Sequence, residues 1–348
     1  MEYAQGSHRP QDRQSQGPEA YLETYFPADE LRTEPQSQAS MNSGAARCAP
    51  GAAAGPVAIT VVVSTRNRRH KIETCARALL ALRCRLPWQC VIVDNGSSDG
   101  TLERLRELAT ALAPGLDVVS EPRAGVSRGR NAGIRAARGE FIVMMDDDCL
   151  PEPGFLDAVL EVFADPSIGY YGGRVLLHDP DDYPITIKTS MQREEFPSGT
   201  VLPPGALHGA NFGFRRAVLE RIGGFDTNMG PGTRSRSGED LELATRASFG
   251  GWRGVYDPRP TVRHDHGRRT PDSVRSLDRS YDIGRGAYYL RAALLGGAGI
   301  LALKHWYWNM WFRRYRGIRR VSREALGAAY WLAAFARHRV PEPLFPRS

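Results

Sequence analysis

Short apolar runs separated by polar, glycine-rich loops set the pattern of the first half of this chain. Val57 to Thr65 (VAITVVVST) is rich in β-branched residues and reads as a buried strand. A helical stretch from about Lys71 to Leu82 follows, then a second strand over Cys90 to Val93 that ends in Asp94-Asn95-Gly96-Ser97-Ser98-Asp99-Gly100. Asp99 or Thr101 is placed to cap the next helix, which runs to about Leu112. Asp117 to Ser120 reads as a third strand, Val126 to Arg138 as a third helix, and Phe141 to Met145 as a fourth strand. Strands alternating with helices predict parallel βαβ units. The expected fold class is therefore α/β, a doubly wound and mostly parallel sheet with flanking helices and a working face at the strands' carboxyl ends.

The pattern changes outside that block. Residues 1–55 are rich in Gln, Ser, Pro, Gly and Ala with little periodicity and are expected to form a disordered tail. Between Leu177 and Leu207 prolines and charges break the periodicity, so an irregular insertion on the substrate side is expected. A second compact region spans about Ala210 to Val262, and 270–348 reads as a helical C-terminal extension. The domain expectation is a tail at 1–55, one α/β domain at 56–269 and the extension at 270–348.

Composition narrows the class. A hydrophobic content of 41% with 9% aromatics belongs to a folded soluble protein. The five cysteines, at 48, 75, 84, 90 and 149, form no CxxC pair and no zinc-like Cys/His spacing, which points to a reducing, cytoplasmic setting. The first residues (MEYAQGSHRPQDRQ) lack the apolar core of a secretory signal. The net charge of +7 is local: setting aside Lys304, Arg313, Arg314, Arg316, Arg319, Arg320 and Arg323 leaves 39 basic residues against 39 acidic ones. The excess thus sits near the carboxyl end, no recognition module accompanies it, and no nucleic-acid partner is expected.

The chemistry starts at Asp146-Asp147-Asp148. Three carboxylates that close an apolar strand cannot stay in the core, so they emerge at the sheet's carboxyl edge. Clustered oxygens of this kind suit Mg²⁺ or Mn²⁺, and a solvated acidic turn is the plain alternative. Thr65-Arg66-Asn67-Arg68 and Asp94 to Thr101 end strands one and two, and together they bring polar groups to the same edge. Asp94 is able to accept from a nucleobase N–H, while ordinary turn chemistry explains either loop alone. Ser127-Arg128-Gly129-Arg130-Asn131 opens the third helix, whose amino end and guanidinium groups favour a diphosphate or form a solvated face. GxGxxG and GxxxxGK[ST] are both absent. Glu239 and Asp240 start a further helix, where the dipole alone would favour acids.

In this order the motifs VVVSTRNR (61–68), DNGSSDGT (94–101), GVSRGRNAGIRAARGEFIVMMDDD (125–148), GANFGFRRAVLERIGGFD (209–226) and GEDLEL (238–243) resemble the family 2 glycosyltransferases. These are inverting nucleotide-sugar enzymes with the GT-A fold, and the resemblance covers 57–265. It implies that Asp146-x-Asp148 is the DxD element, with Asp148 on the divalent ion and Asp146 and Asp147 beside the nucleotide sugar. Thr65, Arg66, Asn67, Asp94, Arg130 and Asn131 complete the implied donor site. His264 is implied as a further metal ligand, with His266 as its rival, and Cys149 stands where relatives often have another acid. Asp240, beside Glu239, is implied as the general base that deprotonates an acceptor hydroxyl. The donor expected is a nucleoside-diphosphate sugar, a UDP-sugar first, with an acceptor in natural-product, polysaccharide or glycolipid synthesis. Two alternatives stay open: a pyrophosphorylase-like nucleotidyltransferase, and a non-catalytic sugar- or membrane-binding module.

Near the carboxyl end, LLGGAGILAL (294–303) is too short to span a bilayer, and Lys304-His305 interrupts it. Trp306, Tyr307, Trp308, Trp311 and Phe312 then lead into the arginines. Aromatics beside basic groups suit peripheral contact with an anionic membrane, and a helix packed on the domain with its arginines in water is the other reading.

Overall fold

The computed structural model describes residues 48–51, 56–112, 115–312, 318–337 and 344. From the amino end the elements are β1 (Ile59–Thr65), α1 (Ile72–Leu80), β2 (Trp88–Asp94), α2 (Thr101–Ala111), β3 (Leu116–Ser120), α3 (Val126–Ala136) and β4 (Phe141–Asp146). They continue with β5 (Cys149–Pro151), α4 (Phe155–Val162), β6 (Ile168–Leu177), β7 (Glu194–Phe196), β8 (Asn211–Arg215), α5 (Arg216–Ile222), α6 (Glu239–Phe249) and β9 (Arg253–His264). Three long helices close the chain: α7 (Pro271–Leu294), α8 (Gly299–Phe312) and α9 (Ile318–Arg337).

One sheet runs in the order β3-β2-β1-β4-β8-β6-β9-β5, with β7 on β9. The first four of these strands are mutually parallel, as the βαβ pattern requires, and β6 also runs parallel to β9. β8 is antiparallel to both β4 and β6, and β5 and β7 are antiparallel to β9. β1 shows why the apolar runs were legible. Val61 and Val63 pack on one face with α1, α2 and α4, while Val62 packs on the other with α3 and α6. Each such fully buried side chain contributes roughly 1.5–3 kcal/mol. A strand buried on both faces must be apolar throughout.

Two expectations change in detail. Of the expected 1–55 tail, 48–51 lies against the domain: Cys48 and Cys84 exchange both backbone hydrogen bonds, and Trp88 donates its indole N–H to the Cys48 carbonyl. Residues 1–47 and 52–55 fall outside the described residues. Before α2 the cap position is Gly100 rather than Asp99 or Thr101, although the Asp99 carboxylate does accept from the Thr101 N–H. The stretch 178–207 is irregular, with β7 as its one short strand.

The C-terminal helices are built on a charged seam. Thr270 caps α7 by accepting from the Ser273 N–H, with Pro271 at the first turn where its missing donor costs nothing. Glu324 of α9, fully buried, accepts from Arg285 of α7 at 2.9 Å, from Arg320 at 2.8 Å and from the Trp306 indole of α8 at 2.7 Å. Asp282 adds Arg285 at 2.9 Å and Arg323 at 2.9 Å. This corrects the reading of the terminal arginines as one outward-facing group. Arg320 and Arg323 face inward, where they add positive charge to the buried carboxylates of Glu324 and Asp282 alongside Arg285. Arg319 is exposed, and Arg313, Arg314 and Arg316 lie outside the described residues.

Candidate active site

Parallel register sets the site's rim. Thr65 pairs with Asp94, and Ser64 with Asp146, so β1, β2 and β4 deliver their last polar residues to one edge. The Thr65 hydroxyl donates to Asp147 at 2.6 Å. Arg68 reaches Asp147 at 3.2 Å and Asp148 at 3.6 Å. Arg68 is thus the arginine of the TRNR motif that meets the acidic triplet, although Arg66 and Asn67 were the residues singled out there. Arg66 is exposed at the rim. Asn67, at φ 55°, ties the first loop to the second: its N–H donates to Ser97 and its amide oxygen accepts from Ser98. Asp94 accepts from the Ser97 N–H through one oxygen, while its other oxygen is buried with no hydrogen-bond partner. An unmet buried acceptor of this kind fits an incoming N–H donor.

The triplet and β9 meet at the same place. Asp148 Oδ1 lies 3.2 Å from His264 Nε2, and Asp148, Cys149 and His264 offer ligand atoms within 4.8 Å of one another. The opposite nitrogen of His264 is 3.3 Å from the Thr186 carbonyl and 3.2 Å from its hydroxyl. That contact leaves Nε2 as the atom aimed at Asp148. Burial favours the neutral acid, but the close His264 imidazole outweighs it and holds Asp148 below the usual carboxylate range. Burial pushes Asp147 up to about 6, against Thr65 and Arg68. It also lifts the Cys149 thiol far up, so this residue stays a protonated thiol, unlike the acid for which it stands. Asp148 and His264 fit a divalent ion: an oxygen and an imidazole nitrogen converge, and the second ring nitrogen is fixed from behind. His266 is placed otherwise. Its ring is fully buried, accepts from the Arg268 N–H at 3.0 Å and lies 3.4 Å from Asp182. It packs edge-on against His264 rather than facing the triplet.

Helix α6 approaches from the other side. Gly238, at φ +92°, starts α6, and a Cβ there would meet the Gly284 carbonyl at 2.9 Å, so α7 packs directly on the turn. Arg130 joins the two halves. Its side chain, 4% exposed, donates to Glu239 at 2.8 Å, to Asp146 at 3.0 Å and to the Gly209 carbonyl at 3.1 Å. Its guanidinium also lies over the rings of Phe212 and Phe225. α3 reaches this depth because Gly129 lies on β1, where a Cβ would come within 2.1 Å of the Ser64 hydroxyl. Arg130 is therefore committed to carboxylates. Asn131 is committed too, since both its amide atoms bond the Phe225 backbone.

Glu239 is pushed up to about 7, first by burial and then by the Asp240 charge, against Arg130. Burial also raises Asp240, opposed by Arg130. Asp240 is half-buried, and its oxygen accepts from the Leu241 N–H. Gly209 lies beside it: a Cβ there would be 3.5 Å from Asp240 Oδ2. A carboxylate with a raised proton affinity, partly open and next to a glycine, is suited to take a proton from a bound hydroxyl. Two groups here carried no readable signal in the sequence. His208, pushed down to about 4 by burial with Lys188 and His264 nearby, stays neutral. Tyr281 of α7, 39% exposed, comes close enough to Arg268, Asp240, Asp146 and Glu239 for their charges to act on its phenol. The C-terminal extension thus borders the site.

Comparison with known proteins gives consistent results. Residues 60–223 match the model of the family described as glycosyl transferase family 2. The pre-mycofactocin glycosyltransferase of Mycobacterium tuberculosis is 27% identical over 259 residues, covering 71% of this chain and 48% of the relative. Glycosyltransferase AglE of Haloferax volcanii is 24% identical over 199 residues, covering 56% of this chain and 62% of the relative. The chain therefore spans about half to two-thirds of the lengths of these relatives. Among solved structures, the mannosyltransferase PcManGT from Pyrobaculum calidifontis, in complex with GDP-Man and Mn²⁺, superposes with a TM-score of 0.53. That match is at 23% identity and covers 82% of this chain and 76% of the other. This likeness is one of fold, and the fold is GT-A.

Proposed function

Residues 60–223 are a glycosyl transferase family 2 domain, and from that premise we propose that this chain transfers a sugar from a nucleoside-diphosphate sugar to an acceptor hydroxyl, with inversion at the anomeric carbon. The observation that carries the reading is the pair of acidic clusters held on either side of Arg130: Asp146 to Asp148 at a strand end, and Glu239-Asp240 at a helix start.

Asp94 accepts from the base with its unmet oxygen, and Asp146, Asp147, Thr65 and the exposed Arg66 border the donor. Arg130, Asn131 and Asn67 act from behind, by holding the groups that face it. Asp148 and His264 would hold Mg²⁺ or Mn²⁺. Such an ion supplies positive charge to the departing diphosphate. Asp240 takes the proton of the acceptor hydroxyl while that oxygen bonds to the anomeric carbon and the bond to the diphosphate breaks. The proton ends on Asp240, the electron pair on the diphosphate, and the new bond forms on the face opposite the old one.

UDP-sugars are the first donors to test, with GDP-mannose beside them because the Pyrobaculum enzyme is held with it. The acceptor is a hydroxyl of a natural product, polysaccharide or glycolipid. Five free cysteines fit a cytoplasmic enzyme. No helix among the described residues is long and apolar enough to cross a membrane. A nucleotidyltransferase on the same sheet would leave Asp240 without a role.

The test is a nucleotide-sugar panel assayed with the full chain, with and without EDTA. Asp240→Asn is expected to leave donor binding intact and to lower turnover at least ~100-fold. Proton NMR of the product should show the anomeric configuration opposite to the donor's. Retention of configuration would refute single displacement. Release of pyrophosphate from a nucleoside triphosphate and a sugar phosphate would establish the nucleotidyltransferase instead.

A further inference from the structure

Helix α8 (Gly299–Phe312) is turned inside out relative to an ordinary surface helix. Its inward side is made by Ala302, fully buried, with Trp306, whose indole donates to Glu324, and Asn309, which donates to the Tyr289 hydroxyl at 2.9 Å. These positions follow one helical face, at intervals of four and three. The opposite side carries Ile300, Leu303, Lys304, Tyr307 and Trp308, with Ile300 66% exposed and Trp308 54% exposed. Polar side chains normally occupy such a face.

The exposure is concentrated in this part of the chain. Of the 14 exposed large hydrophobic side chains among the described residues, 12 lie in α7, α8, α9 or the turn after α7. Leu294 and Leu295 lead into α8, and Ile318 and Val321 of α9 follow the gap after it. Scattered exposed apolar residues are ordinary, but a cluster of this kind marks a contact surface.

Charge selects the partner. From Ile283 to Arg323 the sequence contains no Asp or Glu. Of the bases in that run, Arg285, Arg291, Arg320 and Arg323 are paired with carboxylates inside the protein. Lys304 and Arg319 are exposed, and Arg313, Arg314 and Arg316 stand between them in the sequence. A second copy of the chain would bring these like charges together across a self-complementary contact. A surface that is apolar inside and anionic at its rim accepts leucines, indole and phenol rings and basic side chains together.

We infer that α8, with the adjoining ends of α7 and α9, seats the protein on an anionic lipid bilayer, lying in the interface plane without crossing it. The inference does not depend on the reaction assigned to the site.

The test is cosedimentation of the full chain with vesicles of phosphatidylcholine containing roughly 30% phosphatidylglycerol, against pure phosphatidylcholine, at low and high salt. Expected are binding to the anionic vesicles at low salt, weakening as salt is added, and at least about tenfold weaker binding by the Ile300→Glu/Leu303→Glu variant. Both residues are exposed, so the variant's circular dichroism and melting temperature should match the parent's. Lys304→Glu/Arg319→Glu should weaken the anionic preference. No binding by the parent at low salt would overturn the inference, as would equal binding by parent and Ile300→Glu/Leu303→Glu. A dimer in light scattering that the same variant dissolves would assign the face to a second copy.

Discussion

Arg130 and Glu239, 109 positions apart in sequence, are joined by a 2.8 Å hydrogen bond in a space almost closed to water. Removing the cation strands two carboxylates and a carbonyl. Arg130→Met keeps the volume but is expected to cost roughly 3–5 kcal/mol of folding stability, the scale for breaking one partner of a buried ion pair. Urea unfolding measures it. Adding Glu239→Gln should recover part of the loss, and a double-mutant cycle without coupling would mean that the bond contributes little.

Glu239 also sets a pH dependence. Its folded-state value of about 7 lies above the ordinary 4.5, with burial as the first cause. The folded protein therefore binds this proton more tightly than the unfolded chain does. The contribution is complete below about pH 4.5 and is lost as the pH rises towards 7. Glu239→Gln still offers Arg130 an oxygen but does not titrate. Its stability should fall less than the parent's across that window in melts from pH 4 to pH 8, and identical slopes would refute the assignment.

The two histidines at the end of β9 and just beyond it should behave differently. His264 faces Asp148, whereas His266 is buried against Asp182 and the Arg268 backbone. His264→Ala is expected to raise the Mg²⁺ or Mn²⁺ concentration needed for half-maximal turnover with a modest change in melting temperature. For His266→Ala the expectation is the reverse: a lower melting temperature and a near-parental metal titration. Exchange of the two patterns would transfer the metal role to His266.

Glu324 anchors three donors from three helices. Glu324→Ala leaves Arg285 and Arg320 buried without it and should cost roughly 3–5 kcal/mol. Exposed Arg319, as Arg319→Ala, should stay within about 0.5 kcal/mol of the parent. Thermal melts compare them directly, and a mild Glu324→Ala would show that the seam opens to water.

What the sequence revealed and what it hid follow from distance along the chain. β1, β2 and β4 were legible because strands buried on both faces must be apolar throughout, and the acidic triplet because it ends one of them. The roles of Arg130 and Asn131 were not legible. Motif position suggests a diphosphate, but their partners, Glu239 and the Phe225 backbone, come together only when the sheet closes. Arg68 and Arg66 sit two residues apart on a loop whose path alone decides which meets Asp147. The inward turn of Arg320 and Arg323 likewise depends on Asp282 and Glu324, and a count of positive residues carries no information about pairing.

Arg291 of α7 contacts Asp226 at 3.2 Å and Glu242 at 3.0 Å, and the Trp331 indole of α9 donates to the same Asp226 at 2.9 Å. These donors come after every strand of the sheet. During synthesis the sheet can therefore leave the ribosome while Asp226 still lacks both donors, and its electrostatic balance is reached only when the last helix is free. A gene cut after His264, where the sheet ends, should encode a protein that exposes its apolar α6 flank. Dye binding and protease sensitivity above those of the full chain would register this, and parental behaviour in both would show that the sheet matures alone.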